Sequence, residues 1–167
     1  MDHVDGIIAQ WRAERPELEL APMALIGRVK RLSQHLGREM DKTFAAHGLS
    51  AAGFDVLATL RRSGAPYRLS AGELMQNTMV SSGTMTNRID RLEQAGLVER
   101  VPNPEDGRGV LIALTEKGFA LIDAAVGDHV ATQTRLTAGL TPAEMETLSA
   151  LLRKMLERAE GGRRSGI

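Results

Sequence analysis

Residues 81–118, SSGTMTNRIDRLEQAGLVERVPNPEDGRGVLIALTEKG, constrain the fold more than any other part of the chain. A helical stripe, a glycine stop and two short apolar runs follow one another without a spacer. At 100° per residue from Met85, Ile89 and Leu92 fall within about 40° of it and form a stripe that faces a core. Gly83, Asn87, Asp90 and Gln94 lie roughly opposite, with Thr86 and Arg91 beside them. This helix opens at Ser81 or Ser82 and closes at Gly96. The runs LVERV and VLIAL then read as short strands, because the PNPEDGRG between them has the Pro, Asn, Asp and Gly content of a hairpin loop. Just upstream, Ser70 with Glu73 forms a capping box that opens a brief helix through about Asn77.

Two short helices followed by a hairpin make a winged helix-turn-helix, whose second helix enters the DNA major groove while the loop reaches a neighbouring groove. The outward face of the 82–94 helix is small, polar and able to hydrogen-bond, which suits base edges and phosphates. Ser81, Ser82 and Gly83 at its start let backbone amides approach a phosphate closely, helped by the helix dipole. Thr86, Asn87 and Arg91 complete the candidate face, and Arg108 at the loop tip has the charge for a minor-groove or backbone contact. Two plainer readings stand beside these: a solvated amphipathic helix, and an Arg108 that pairs with Asp106. From Arg61 to Lys117 there are eight basic and seven acidic residues, a net charge of +1, so DNA binding is expected to be moderate and salt-sensitive.

Helical spacing dominates the remaining chain. Val4, Ile7, Ile8 and Trp11 share one face of a short N-terminal helix, about 3–14, that stops before Pro16. From about Pro22 to Ala46 a long helix places Leu25, Val29, Leu32, Leu36, Met40 and Phe44 in an expected core stripe, and Gly48 supplies its left-handed stop. Ser50 caps AAGFDVLATLRRSG, with Phe54, Leu57 and Leu60 inward, and PYRL is short and extended. Thr115 begins a helix of about twenty residues carrying Phe119, Leu121, Ile122, Ala125, Val126 and Val130. Thr141-Pro142-Ala143-Glu144 is a capping box with proline at the first helical position, ahead of a helix with Leu148, Leu152 and Met155. The tail GGRRSGI, residues 161–167, has no core residues and is expected to be mobile.

Length and composition narrow the function classes. A chain of 167 residues with 43% hydrophobic content can bury one core, and one domain is expected. No apolar run approaches the roughly 18 residues of a membrane span, and the start MDHVDGIIAQWRAERPE is acidic where a signal peptide is basic, so a cytoplasmic location without membrane partners is expected. With no cysteine there is no disulfide, thiolate cage or thiol switch. The 21 basic and 21 acidic side chains cancel, which leaves any nucleic-acid role to local placement and to doubling of sites. His3, His35, His47 and His129 are scattered without metal-ligand spacing, and no nucleophile elbow or phosphate loop occurs; no cofactor, metal or enzymatic activity is expected. His35, one position before Leu36 of the stripe, is a candidate for pH sensing.

DGRGVLIALTEKG, residues 106–118, resembles the Asp-x-Arg wing signature of the MarR transcription factors, which runs through a hydrophobic strand to Leu-Thr-x-x-Gly; Asp106, Arg108, Leu114, Thr115 and Gly118 match it. The likeness covers nearly the whole chain. It implies a mostly α (α+β) fold with residues 50–115 as the winged helix-turn-helix. Residues 1–48 and 116–160 would be dimerisation helices, forming a lobe around two winged helices. It also implies a homodimer that binds a near-palindromic, inverted-repeat operator in double-stranded DNA, and a regulator that acts as a repressor. A dimeric winged-helix module that contacts protein instead of DNA is the second reading.

A narrower resemblance concerns regulation. FDVLATLRRSGAPYRLS and SSGTMTNRIDRLEQAGLVER are similar to the PecS branch of that family, which includes urate-responsive members and also carries a tryptophan on an added N-terminal helix. In that branch the tryptophan, the aspartate of FDVLATL and the arginine of TNR line a small-molecule pocket. The resemblance carries those roles to Trp11, Asp55 and Arg88, with urate or a related small aromatic anion as effector. An aromatic plane and a cation suit such a ligand, since stacking and a charge-assisted hydrogen bond act together. The alternatives are that Trp11 is a packing anchor and that Arg88 bridges to Asp55.

Overall fold

The computed structural model describes residues 1–78, 82–104 and 109–164, with the backbone alone at 82, 83 and 162–164. Its elements run α1 (His3–Glu14), α2 (Ala21–Ala46), α3 (Ala51–Arg62), β1 (Arg68–Ser70), α4 (Ala71–Thr78), α5 (Ser82–Gln94), β2 (Val98–Pro102), β3 (Val110–Leu114), α6 (Glu116–Thr137) and α7 (Pro142–Arg164). The chain divides into two compact units, 1–129 and 130–167, with the boundary inside α6.

In the first unit the helix starts and stops follow from local chemistry. Asp2 caps α1, its carboxylate accepting from the amides of Val4 and Asp5 while Asp5 accepts from the Asp2 amide, a capping box absent from the sequence reading. Ser50 accepts from the Gly53 amide at 3.1 Å to start α3, and the Ser70–Glu73 box starts α4 as expected. Helices α2 and α5 end alike. Gly48 and Gly96 take φ of +67° and +69°, and the amides of Leu49 and Leu97 reach back to the carbonyls of Phe44 and Leu92, both at 2.9 Å. These are Schellman stops, and the leucine after each glycine is buried in the main core.

Val56, Leu57, Leu60, Leu74, Met85, Ile89, Leu92, Leu97, Val98, Ile112, Ile122 and Ala125 form one buried cluster that joins α3, α4, α5, the sheet and α6. The sheet has three strands in the order β1-β3-β2. The hairpin anticipated from LVERV and VLIAL is present, with Val98 opposite Leu114 and Pro102 opposite Val110. The segment PYRL adds a third strand by pairing Arg68 with Ala113 and Leu69 with Ile112. Three residues are too few to show an alternation of their own, which is why the sequence marked them only as extended.

Helix α1 packs on α2 through a separate small core of Val4, Ile8, Leu20 and Ala24. The two helices come close at Gly27, where a β-carbon would stand in van der Waals contact with Val4 at 3.4 Å. Arg28 adds hydrogen bonds to Asp2, at 2.8 Å, and to Asp5.

The stripe of α2 is where the sequence expectation and the structure part. Phe44 is buried and Leu36 and Met40 are partly covered, but Leu25, Val29 and Leu32 are exposed, as are Met23 and Ile26. Helical periodicity identifies an apolar face without saying what covers it: α1 packs on one side of the first half of α2, and among the described residues of this unit nothing covers the side that carries Leu25, Val29 and Leu32. Val130, among the apolar residues noted on α6, is exposed as well.

In the second unit, the Thr141–Glu144 box opens α7 as expected, with the Glu144 carboxylate accepting from the Thr141 amide at 2.8 Å. Leu148, Leu152 and Met155, the apolar residues noted on this helix, are exposed, together with Met145, Leu151 and Leu156. The backbone of residues 161–164, anticipated as mobile tail, continues α7, and residues 165–167 lie outside the described residues.

Candidate nucleic-acid interface and effector pocket

The helix pair α4–α5 is held from beneath. Leu74 of α4 and Met85, Ile89 and Leu92 of α5 are buried in the main core, so the stripe predicted for α5 is the one that packs. Thr84, Thr86, Asn87 and Arg91 are exposed on the other side, while Arg88 on the shoulder is half-buried. Ser82 and Gly83 form the first turn of α5. Ser81 and Arg108, both assigned DNA contacts from the sequence, and Asp106 lie outside the described residues.

The turn that ends α5 is tied to the start of α6 by two side chains. Thr115 Oγ1 donates to the Gly96 carbonyl at 2.8 Å and accepts from the Gly118 amide at 3.0 Å, capping α6 in the same arrangement. Lys117 Nζ adds a bond to the Ala95 carbonyl at 2.8 Å. Thr115 and Gly118 of the Leu-Thr-x-x-Gly stretch thus have a structural reason for their spacing.

Asp90, placed by its helical angle on the outward face, is half-buried and turned toward the hairpin. Arg100 of β2 donates from Nη2 to Asp90 Oδ1 at 2.5 Å and from Nη1 to Glu93 Oε2. Arg100 was not among the sequence candidates. The signal available was the pair Asp90 and Glu93, three residues apart and so on one face, followed by a strand carrying a single arginine.

Of the three effector candidates, Asp55 and Arg88 come within electrostatic reach of each other. Asp55 is half-buried on α3, and burial pushes its carboxyl above the usual carboxylate range, against the opposing pull first of Arg62 and then of Arg88. Among the described residues no hydrogen bond or ion pair closes on the Asp55 carboxylate, so the bridge from Arg88 to Asp55, the alternative to a pocket role, is not formed. Trp11 is 42% exposed on α1 and absent from the α1–α2 core, which sets aside its reading as a packing anchor within one chain. A groove of about 360 Å³ beside α1 is lined by Ile8, Arg12, Leu18 and Glu19 among others, and by neither Asp55 nor Arg88.

Histidines and aromatics hold features that spacing did not reveal. His35 is exposed, contrary to the partly buried position expected of a pH sensor. His129 instead is half-buried, its ring 5.3 Å from Phe44 and 4.9 Å from Phe54, and burial holds its pKa below the usual histidine range. His47, at the end of α2, bonds through Nε2 to Asp128 at 2.8 Å. Arg61 lies over the rings of Phe119 and Tyr67, at 4.6 and 5.4 Å from their centroids, and forks onto Asp123 at 3.0 and 2.9 Å. Among the described residues no cluster of three metal-ligating side chains occurs and no helix is long and apolar enough to cross a membrane.

Comparison with known proteins agrees with this geometry. The MarR family model matches residues 47–109. The HTH-type transcriptional regulator PecS of Dickeya dadantii (strain 3937) is 45% identical over 149 residues, covering 89% of this chain and 90% of its own. A solved structure of a mutant MarR from Escherichia coli complexed with operator DNA superimposes with a TM-score of 0.69 at 33% identity, covering 84% of this chain and 99% of that one. Bordetella bronchiseptica BpsR, solved in work on the regulation of its DNA binding by 6-hydroxynicotinic acid, has a TM-score of 0.68 at 30% identity, over 78% of this chain and 91% of its own.

Proposed function

The chain belongs to the MarR family, on its PecS branch, and from that premise we propose that it is a homodimeric, DNA-binding transcriptional regulator of the cytoplasm, a repressor released from its operator by a small aromatic anion. The observation that carries the reading is α5: its apolar stripe of Met85, Ile89 and Leu92 is buried, leaving Thr86, Asn87 and Arg91 on an exposed polar face beside the β2–β3 hairpin. Such a helix lies in the major groove, with Ser81, Ser82 and Gly83 toward the phosphates and Arg108 of the hairpin loop in the flanking groove. The relative complexed with operator DNA supports the same use of the fold.

The exposed apolar faces of α2 and α7 support dimerisation, because patches of this kind on a regulator are covered by a second subunit. A twofold pair of α5 helices then reads an inverted repeat whose half-sites are centred about one DNA turn apart.

Trp11, Asp55 and Arg88 form the effector set. A half-buried aspartate facing two guanidinium groups without bonding to either is an unfinished charge arrangement, and a planar anion such as urate completes it by pairing with Arg88. In the relative BpsR the regulating compound is likewise a small aromatic acid. Because Arg88 sits on the DNA-reading helix, pairing it with an effector biases the helix between two positions.

The test is a fluorescence-anisotropy titration of the dimer against inverted-repeat and random duplexes, with and without urate. Preference for the inverted repeat, and its loss on adding urate in the wild type but not in Arg88→Ala, is the expected result. Equal binding to random duplex sinks the operator reading; urate release retained in Arg88→Ala sinks the effector assignment.

A further inference from the structure

Helix α5 carries Arg88 and Arg91 but also Asp90 and Glu93, so its own charges cancel on an element that has to approach a polyanion. Two carboxylates near a phosphate backbone are repulsive at the separations of a docked helix, which lie within a Debye length. Both are occupied by one residue outside the helix. Arg100 reaches from β2, the first strand of the hairpin, to Asp90 Oδ1 at 2.5 Å through Nη2 and to Glu93 Oε2 through Nη1. A guanidinium presents donors from separate nitrogens in a fixed plane and so suits two acceptors one helical turn apart, whereas a lysine ammonium offers all its donors from one nitrogen and matches that spacing less well. The Arg100 side chain is 34% exposed and those of Asp90 and Glu93 are 49% and 38% exposed, so all three remain near the surface where DNA would lie.

We propose that Arg100 is a positioning residue for DNA binding: it masks the Asp90 and Glu93 carboxylates of α5 so that the helix can dock, and does not itself contact phosphate. The inference rests on the reading of α5 as the DNA-contacting helix. Arg100 acts through the two acids, and its loss matters only while they are present.

The experiment uses the full chain and an inverted-repeat duplex that the wild type selects from a random pool, with anisotropy titrations over a salt series and thermal unfolding of every variant. Arg100→Gln is expected to weaken binding about tenfold or more, since like charges brought together at an interface are costly. Adding Asp90→Asn and Glu93→Gln to Arg100→Gln is expected to restore affinity to within about threefold of wild type with the salt slope unchanged, because no phosphate contact is lost. Arg100→Lys is expected to fall between wild type and Arg100→Gln.

Unchanged binding by Arg100→Gln overturns the proposal, and so does a triple variant that stays weak. A slope reduced by about one in Arg100→Gln makes the arginine a phosphate contact instead, which overturns it equally. If Arg100→Gln fails to fold, Asp90→Asn/Glu93→Gln on the wild-type background decides: binding at least as tight as wild type supports masking, and weaker binding overturns it. A wild-type protein that selects no duplex fails the DNA-binding reading and this inference with it, an outcome distinct from a loss confined to the Arg100 variants.

Discussion

Gly118 passes so close to Leu97 that a β-carbon on it would stand 1.9 Å from the Leu97 carbonyl oxygen and 2.8 Å from its carbonyl carbon. The obstacle is backbone, which cannot swing aside as a side-chain tip does. Gly118→Ala is therefore expected to cost about 3 kcal/mol or more, the upper end of overpacking losses. Gly127→Ala, on the same helix with nothing within 4 Å, is expected to gain up to about 1 kcal/mol from helix propensity. Urea midpoints of the two variants check both signs.

Arg61 joins α3 to α6 by its fork onto Asp123 and its position over Phe119 and Tyr67. Arg61→Ala is expected to lose about 1 kcal/mol, since the pair is partly exposed and screened and the ring contact is the steadier part. Arg61→Lys keeps the charge but not the planar stacking, so it is expected to recover less than half of that loss in the same unfolding assay.

Asp55 has its pKa raised by burial above the value it takes in the unfolded chain. A raised folded pKa means the folded state holds the proton more tightly, so this group favours folding below the unfolded pKa and the contribution is lost as pH rises through the folded one. Asp55→Asn is thus expected to raise the Tm at pH 7 and to show a shrinking gain as pH falls toward about 4. The same variant is expected to lose response to urate, a trade of ligand sensing against stability. Parallel Tm and release measurements test the pair of effects.

His129 behaves oppositely, because its folded pKa is depressed. Its contribution is present above the unfolded histidine pKa of about 6.5 and is lost as pH falls through the folded value. Stability is expected to decline in that acid window in the wild type and to decline less in His129→Phe, which keeps a ring against Phe44 and Phe54. Denaturant midpoints at pH 7.5 and at about pH 5 read the difference.

Leu151 and Leu156 of α7 are 57% and 59% exposed. If a second subunit covers them, each contributes about 1.5–3 kcal/mol on burial, and Leu151→Glu/Leu156→Glu is expected to yield a species of half the wild-type mass by light scattering. A variant that keeps the dimer mass excludes α7 from the interface.

Residue by residue, legibility followed how local the cause was. Caps and stops at Ser50, Gly48, Ser70, Glu73, Thr141 and Glu144 depend on neighbours within one turn and were readable, as was the stripe of Met85, Ile89 and Leu92. The Leu25, Val29 and Leu32 face was readable as apolar but not as exposed, since coverage depends on what packs there. The segment PYRL was readable as extended but not as a third strand, because its pairing is decided by β3, some forty residues away. In the candidate site, Asp55 and Arg88 were nominated by resemblance and found within electrostatic reach; Arg100 left a faint signal in the acidic pair Asp90 and Glu93, whereas Arg61 and His129 act through partners some sixty to eighty residues away that no spacing rule joins.

Strand β3 has β1 on one side and β2 on the other. Its amide hydrogens can therefore trade for deuterium only when the sheet parts as a body, while those on the outer edges of its neighbours trade by momentary fraying. The sheet thus has a slow spine and a quick rim, and exchange along β3 reports the opening of the whole sheet rather than of one edge.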